Sequence, residues 1–230
     1  MIARFGLLRG RADISSEQFS AHWLESHGPI AAQFPGLQKY YQHIVTDKAQ
    51  FGIDHQRGPM DLDGMSELHF ENAEVMHEAI QSSSFSGALK DEDAFLEDVK
   101  IVICEKHDVV PLNIGDGPFI KRMTLLKRLP GISAEDFKRE WLETHAEWVR
   151  QWPNVLGYTQ NLVVDRYAKS RTESATYDEV PVDGIVEFWF RNEEEAAQIY
   201  QSDIVTQTQR HALDFLDEIT PFFVTTRTIV

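Results

Sequence analysis

The chain carries one sequence pattern twice, at a constant separation of 118 residues. When residues 14–45 are aligned with residues 132–163, thirteen of the 32 positions hold the same amino acid and no gap is needed. Unrelated segments of ordinary composition would agree at roughly one position in sixteen. The repeat therefore predicts one structural unit built twice in tandem, with His27 and His145 at the same place in each copy.

Length and charge narrow the classes of protein that fit. The 230 residues suffice for two units of about 110 residues each. The formal charge of −15 argues against a nucleic-acid partner, which requires clustered Lys and Arg, and against an anionic membrane surface. No apolar run approaches the ~20 residues of a membrane span, and the first residues do not resemble a signal peptide. The single Cys104 excludes an internal disulfide, so we expect a cytoplasmic protein.

Both copies predict the same order of strands and helices. Ser15 and Ser133 stand where the first helix is capped, and Asn72 and Asn192 where the second helix is capped. Long polar loops, which are often functional, are predicted at residues 47–62 and 165–182, and short acidic helical pieces at residues 95–98 and 215–218. The predicted strands cover residues 2–8, 39–45, 65–70 and 100–106 in the first copy, and residues 119–126, 157–164, 185–190 and 222–229 in the second.

The order βαββαβ in each copy is the ferredoxin-like arrangement, with helices on one face of a four-stranded antiparallel sheet. The other face of such a sheet stays bare. Two of these sheets can cover each other, so the predicted fold is α+β, a fused version of a dimeric α+β barrel. We expect repeat 1 at residues 1–110, a linker at residues 111–118 and repeat 2 at residues 119–230. The sequence leaves open whether the barrel closes within one chain or between two, and a homodimer is compatible with either.

The motifs resemble those of the EthD family of dimeric α+β barrel proteins. The matching runs are Phe19-x3-Trp23-x3-His27-Gly-Pro and Tyr40-x-Gln42 in the first copy, and Trp141-Leu-Glu-Thr-His145 and Tyr158-x-Gln160 in the second. The resemblance covers nearly the whole chain. It implies a protein of small-molecule catabolism whose motif histidine, here His27 or His145, lies near a substrate cavity and transfers protons. The second copy has Ala146-Glu147 where the first has Gly28-Pro29, so its turn is expected to differ.

The two motif histidines are the first candidates for catalysis. Each follows a phenylalanine and a tryptophan at helical spacing, so it shares the apolar face of its helix. Imidazole exchanges a proton near neutral pH, and a partly desolvated imidazole beside a cavity suits acid–base work. A buried histidine that only bonds a backbone carbonyl or a carboxylate fits the same pattern. Tyr40 and Tyr158 are candidates to donate a phenol to a substrate oxygen in the barrel, or else core tyrosines with a hydroxyl at the rim.

A second group of candidates lies in the first copy alone. Glu67 and His69 share one face of a strand by period-two alternation, and His43 lies on a neighbouring strand. Asn161 and Trp189 replace His43 and His69 in the second copy, which suggests that the chemistry belongs to the first copy.

Glu67 itself recurs as Glu187. Each glutamate is expected either to orient the histidine of its copy or to pair with an arginine, Arg4 or Arg122. The spacing of these groups matches no known metal-ligand signature, so no metal is predicted.

The side chains expected to contact a substrate share the faces of these groups. They are Trp23, Gln42, His43, Trp141, Tyr158 and Gln160. The sequence holds no phosphate loop, no nucleophile elbow, no paired cysteines and no dinucleotide fingerprint, so we expect a reaction without a bound cofactor.

The function that fits best is an isomerase or lyase that moves protons on a lactone, a cyclic ketone or an aromatic-derived compound. In that hypothesis His27 moves the proton, while Tyr40 and His69 stabilise the developing oxyanion. Two alternatives remain open: a binder or carrier of a hydrophobic catabolite without turnover, and a cofactor-free monooxygenase.

Overall fold

The computed structural model describes residues 1–167 and 172–230. Four residues of the second predicted loop, 168–171, lie outside the described residues. Within the described part, eight antiparallel strands close into one barrel in the order β1-β3-β2-β8-β5-β7-β6-β4. The strands are β1 Ile2–Gly10, β2 Lys39–Asp47, β3 Gly64–Phe70, β4 Leu96–Val110, β5 Ile120–Arg128, β6 Gly157–Tyr167, β7 Gly184–Phe190 and β8 Leu216–Thr228.

The barrel closes within one chain, because strands of the two halves pair at two seams. At one seam β2 pairs with β8, and at the other β4 pairs with β6. The strands β4 and β8 are longer than the sequence predicts and begin at Leu96 and Leu216. The acidic helical pieces predicted at residues 95–98 and 215–218 are therefore wrong, since most of those residues belong to the strands.

The helices lie outside the barrel, against the outer faces of the strands. Those of the first half are α1 Ser16–His22, a π-helical segment Trp23–His27, α2 Gly28–Ala31, α3 Ala73–Ile80 and α4 Ser83–Glu92. Those of the second half are α5 Ala134–Arg139, a π-helical segment Glu140–His145, α6 Ala146–Val149, α7 Glu193–Tyr200 and α8 Asp203–Ala212. The predicted caps form: Ser15, Asn72, Ser133 and Asn192 each accept a backbone N–H of the helix that they precede. The second helix of each half is broken in two, and Ser82 caps the second piece in the first half.

Each strand buries both of its faces, and alternate residues point to different cores. Between sheet and helices, two apolar layers form around Trp23 in the first half and Trp141 in the second. A third core fills the barrel itself and includes Phe5, Met65 and Phe222. Because burial occurs on both sides, the strands contain runs of adjacent apolar residues, such as those of β7, and no strict alternation of apolar and polar residues.

The two ends of the barrel differ in chemistry. Loop residues Leu62, Val180 and Val182 are buried in the interior core, so the long loops close one end of the barrel with apolar side chains. At the other end the interior is polar, and the connection between β4 and β5 passes there. Among the described residues, no helix is long and apolar enough to cross a membrane.

Candidate functional site

The polar end of the barrel encloses a cavity of about 360 Å³. Its walls come from strands of both halves and from the linker. The lining residues are Tyr41, His43, Glu67, Lys106, Asp108, Leu112, Phe119, Lys121, Thr159, Glu187, Trp189, Thr226 and Thr228. Leu112 and Phe119 are exposed large apolar side chains, which places the mouth of the cavity at the linker. A cavity of this volume can hold a small organic molecule.

On one wall of the cavity, a single carboxylate holds two histidines. His43 Nε2 lies 2.8 Å from one oxygen of Glu67, and His69 Nε2 lies 2.7 Å from the other oxygen. All three side chains are buried. The alternation of β3 points Glu67 and His69 inward together, as the sequence predicts, and β2 brings His43 opposite them.

The hydrogen bonds define the protonation of His43. Burial, with the nearby charge of Lys121, lowers the pKa of His43, so its ring is neutral at neutral pH. Its one N–H then lies on Nε2 and is donated to Glu67, while Nδ1 accepts the hydroxyl of Thr226 at 2.9 Å. Burial opposes ionisation of Glu67, but the hydrogen bonds from His43 and His69 outweigh it and hold the pKa of Glu67 well below its usual value. The result is a neutral base held by a carboxylate.

The second half supplies a buried cation to the same cavity. Lys121 Nζ lies 2.5 Å from Glu187 and 4.8 Å from the centre of the Trp189 ring. Asn161 Nδ2 donates to the other oxygen of Glu187 at 2.8 Å. A second cation, Lys106, is partly buried, which opposes protonation, but the charges of Glu187 and Glu67 raise its pKa. The cavity thus brings two ammonium groups and the imidazole of His43 to one space.

The predicted pairing of the glutamates with arginines is wrong. Arg4 and Arg122 point to the outer faces of their strands, where Arg4 lies over Phe85 and Arg122 over Tyr200. Glu67 and Glu187 point inward, so the sheet separates each glutamate from the arginine of its half. The motif histidines are separated from the glutamates in the same way. Glu67 orients His43 and His69 instead.

The structure does not bring His27, Tyr40 and His69 together. Tyr40 and His27 lie in the layer between sheet and helices, whereas His69 lies inside the barrel. The predicted placement of Tyr40 in the barrel is therefore wrong; Tyr41, its neighbour, faces the cavity. Tyr158 likewise packs in the outer layer of the second half. The sheet therefore separates His69 from the other two groups of the sequence hypothesis, His27 and Tyr40.

The remaining motif residues tie the helices to the sheet. Gln42 Nε2 donates to the backbone carbonyl of Trp23 at 2.7 Å, and Gln160 Nε2 donates to that of Trp141 at 2.8 Å. Trp23 begins the π-helical segment, and its carbonyl also accepts the N–H of Gly28, five residues on. These predicted substrate-binding residues, Trp23, Gln42, Trp141 and Gln160, are thus fully buried parts of the two outer layers.

The two motif histidines have different partners in the two halves. His27 Nδ1 lies 3.0 Å from Asp91, and burial lowers its pKa while Asp91 opposes that shift. His145 Nδ1 lies 3.2 Å from Nδ1 of His211, the residue that replaces Asp91 in the second half. Burial and the charge of His211 lower the pKa of His145 to about 3. Each histidine borders a cavity of its outer layer, of about 30 Å³ in the first half and 60 Å³ in the second.

Sequence reasoning missed Tyr41, Lys106, Lys121 and Thr226 as cavity residues. The signal for Lys121 was present, because it lies two residues before the inward-facing Met123 on a strand predicted to be buried on both faces. A lysine at such a position must find a partner or a function. Among the described residues, no group of three or more His, Cys, Asp or Glu side chains is arranged to hold a metal ion.

The fold and the cavity define the chain as an α+β barrel protein built from two halves. A sequence model of the EthD domain matches residues 11–98 and again residues 129–219. The two matches together cover most of the chain, so it belongs to the EthD family, with two tandem EthD repeats. No curated protein matches the chain in sequence.

Solved structures with the same fold are distant in sequence. An anthrone oxidase-like protein aligns with a TM-score of 0.65 at 10% identity, covering 99% of this chain and 93% of its own. A proposed monooxygenase of Lactobacillus acidophilus aligns with a TM-score of 0.55 at 10% identity, covering 99% and 94%. A dye-decolorizing peroxidase of Bacteroides thetaiotaomicron aligns with a TM-score of 0.52 at 8% identity, covering 97% and 92%. At these identities the likeness concerns the fold alone.

Proposed function

We propose that the protein is a cytoplasmic enzyme of small-molecule catabolism that moves protons on a lactone, a cyclic ketone or an aromatic-derived compound within the barrel cavity. The observation that supports this most is the neutral His43, which Glu67 holds beside a 360 Å³ cavity that Lys121 also lines. A base and an electrophile that border the same cavity suit removal of a proton next to a carbonyl group.

In the proposed reaction His43 is the base and its Nδ1 is the accepting atom. The Thr226 hydroxyl occupies Nδ1 in the resting structure, so it must rotate away when a substrate enters. The proton leaves a carbon beside the carbonyl, and its electron pair moves to the carbonyl oxygen, which Lys121 stabilises as an oxyanion. The imidazolium that forms is stabilised by Glu67. It then returns the proton to another carbon in an isomerisation, or to a leaving hydroxyl in a dehydration.

The proposal assigns different work to the two halves. Each half is proposed to be a ferredoxin-like repeat, at residues 1–110 and 119–230, joined by the linker at residues 111–118. The first repeat carries the base and its carboxylate, and the second carries the cation. The catalytic residues are then His43 and Lys121, with Glu67 and His69 as positioning residues. His27 and His145 lie outside the barrel and keep their predicted role only if a substrate also enters the outer layers.

The chain itself offers a matched variant for the test. Asn161 occupies in repeat 2 the place of His43 and still donates to its glutamate. The variant His43→Asn therefore retains the hydrogen bond to Glu67 and removes the base. Five- and six-membered lactones and cyclic ketones are incubated in D₂O, and deuterium incorporation is followed by NMR. We expect incorporation with the wild type and a rate about 10²–10⁴-fold lower with His43→Asn.

His27→Asn is the control, because it changes an imidazole outside the barrel and should leave the rate within a few fold of the wild type. Equal rates for His43→Asn and wild type would refute the role of His43. Saturable binding without exchange by the wild type would instead establish a carrier, and activity that vanishes without oxygen would establish a monooxygenase.

A further inference from the structure

The outer layer of the second half buries an arginine that has no acidic partner among the described residues. Arg122 is only 3% exposed, and its Nε and Nη1 atoms have no hydrogen-bond partner within residues 1–167 and 172–230. It borders the 60 Å³ cavity of that layer, and no Asp or Glu is among the described residues that line this cavity. A buried cation with no carboxylate beside it is costly, so Arg122 calls for an explanation.

The equivalent arginine of the first half lies near a carboxylate that the second half lacks. Arg4 is the counterpart of Arg122 and borders the equivalent cavity of about 30 Å³, which Glu92 also lines. The counterpart of Glu92 is Ala212, at the same separation of 120 residues that relates the helix caps Asn72 and Asn192. Repeat 2 therefore has a methyl group where repeat 1 has a carboxylate, and its cavity has twice the volume.

Two hydroxyl groups have been added beside the arginine in repeat 2. Thr124 and Tyr200 stand where repeat 1 has Gly6 and Ile80, and both line the cavity. The Thr124 hydroxyl has no hydrogen-bond partner among the described residues. The Tyr200 hydroxyl lies beside the Arg122 guanidinium, which counters the rise in the pKa of Tyr200 that burial causes. The cavity therefore collects several N–H and O–H donors around one positive charge.

Aromatic rings compensate Arg122 only in part. Its guanidinium lies 4.8 Å from the ring centre of Tyr200, 5.3 Å from that of Phe188 and 5.7 Å from that of Phe190. A ring face attracts the cation but does not accept the in-plane N–H groups as a carboxylate does. The N–H groups of the Arg122 guanidinium therefore still lack a carboxylate that could accept them.

We propose that this cavity binds a small carboxylate, whose two oxygens take the place that the Glu92 side chain has in repeat 1. Arg122 holds the carboxylate, Thr124 and Tyr200 donate to it, and the apolar tail lies against residues such as Leu126 and Val186. A cavity of 60 Å³ corresponds to roughly two water molecules, which is enough for the carboxylate group of a short acid, and the tail of propionate or butyrate would extend toward the rim. The half-buried Ile53, Trp152 and Gln209 form the rim through which it enters. This site lies outside the barrel and is independent of the proposed reaction.

The test compares the wild type with Arg122→Met and Ala212→Glu, and uses Arg210→Met as the control, an exposed arginine of α8. Thermal unfolding is followed by tryptophan fluorescence at pH 7.5 in sodium acetate, propionate or butyrate, each against sodium chloride at equal ionic strength. At ten times its Kd, a carboxylate should raise Tm by about 3–6 °C over chloride in the wild type and in Arg210→Met.

Arg122→Met should lose this rise because the cation is gone. Ala212→Glu should also lose it, and should melt higher than the wild type in chloride, because the new side chain supplies the carboxylate internally. Calorimetric titration with propionate should show saturable heat in the wild type alone of these three proteins. An equal rise in all variants, an equal rise with chloride, or saturable propionate binding by Ala212→Glu would each overturn the proposal.

Discussion

Replacing His145 by glutamine should make the protein distinctly less sensitive to mild acid. The pKa of His145 is lowered to about 3 in the folded protein, chiefly by burial and further by the charge of His211. An unfolded histidine has a pKa of about 6.5. As the pH falls below that value, the unfolded chain takes up a proton at this position while the folded chain does not, so stability is lost until the pH approaches 3.

The size of the effect follows from the two pKa values. A pH of 5 is about 1.5 units below the pKa of the unfolded side chain. At 1.36 kcal/mol per unit, the free energy of unfolding falls by about 2 kcal/mol. The ring of His145 is half-buried, so this is an upper value. Urea denaturation at pH 7 and pH 5 measures the free energy of unfolding, and the pH 7 to pH 5 difference within each variant removes the packing cost of the substitution.

His27→Gln is the matched comparison. Burial also lowers the pKa of His27, but Asp91 opposes that shift, so the acid loss removed by this substitution should be smaller. We expect His145→Gln to lose about 1–2 kcal/mol less than the wild type between pH 7 and pH 5. A loss within ~0.5 kcal/mol of the wild type would show that His145 is protonated in the folded protein, and the account of its burial would be wrong.

Two further substitutions test the packing and the charges. A Cβ at Gly64 would lie 2.5 Å from the Trp23 ring, so Gly64→Ala should lower the free energy of unfolding by about 1–3 kcal/mol. A Cβ at Gly87 would lie 3.6 Å from its nearest neighbour, so Gly87→Ala in helix α4 should raise the free energy of unfolding slightly. Urea denaturation of both variants measures the two changes. Lys121→Met leaves Glu187 buried beside Asn161 alone and should cost about 3–5 kcal/mol by the same assay, of which adding Glu187→Leu should recover most. No recovery in the double variant would mean that the pair is not the reason for the loss.

The fold could be predicted because the repeat limits the possibilities. One βαββαβ unit has a bare sheet face, and a second copy in the same chain supplies a cover for it. The N-cap residues fixed the starts of the helices, and all four predicted caps are confirmed. The ends of the elements were less accurate, because β4 and β8 begin earlier than predicted, where they pair with β1 and β5 of the same half, and β4 also continues beside β6.

The site was predicted only in part. The alternation of side chains along a strand shows which residues share a face, but not which face points into the barrel. Tyr40 and Gln42 do share a face, as do Glu67 and His69, but both faces of these strands are buried. The pattern therefore contains no polar side that would mark which residues point into the barrel. Tyr40 points outward for a reason that is local, since its hydroxyl accepts the N–H of Trp23.

Gly64, which follows Asp63, is required by a packing contact that the sequence alone does not reveal. Asp63 has a role in the local hydrogen bonding, because its carboxylate accepts the N–H of Gly10. Gly64 has a different reason, because the Trp23 ring packs directly on its backbone. The tryptophan and the glycine therefore recur together, as Trp141 and Gly184, and belong to one contact 41 to 43 residues apart.

A barrel made of two separate identical chains must place every residue twice, whereas the fused chain can change one half alone. Both glutamates are kept in the barrel, yet Glu67 bonds two histidines and Glu187 bonds a lysine and an asparagine. A symmetric barrel would carry each of these groups twice, whereas here Asn161 replaces His43 in the second half and Ala3 stands in place of Lys121 in the first. The same freedom acts in the outer layers, where Ala212 opens a cavity that its counterpart Glu92 shares with Arg4. The two repeats pack alike, so the positions at which they differ are the best candidates for functional residues in this chain.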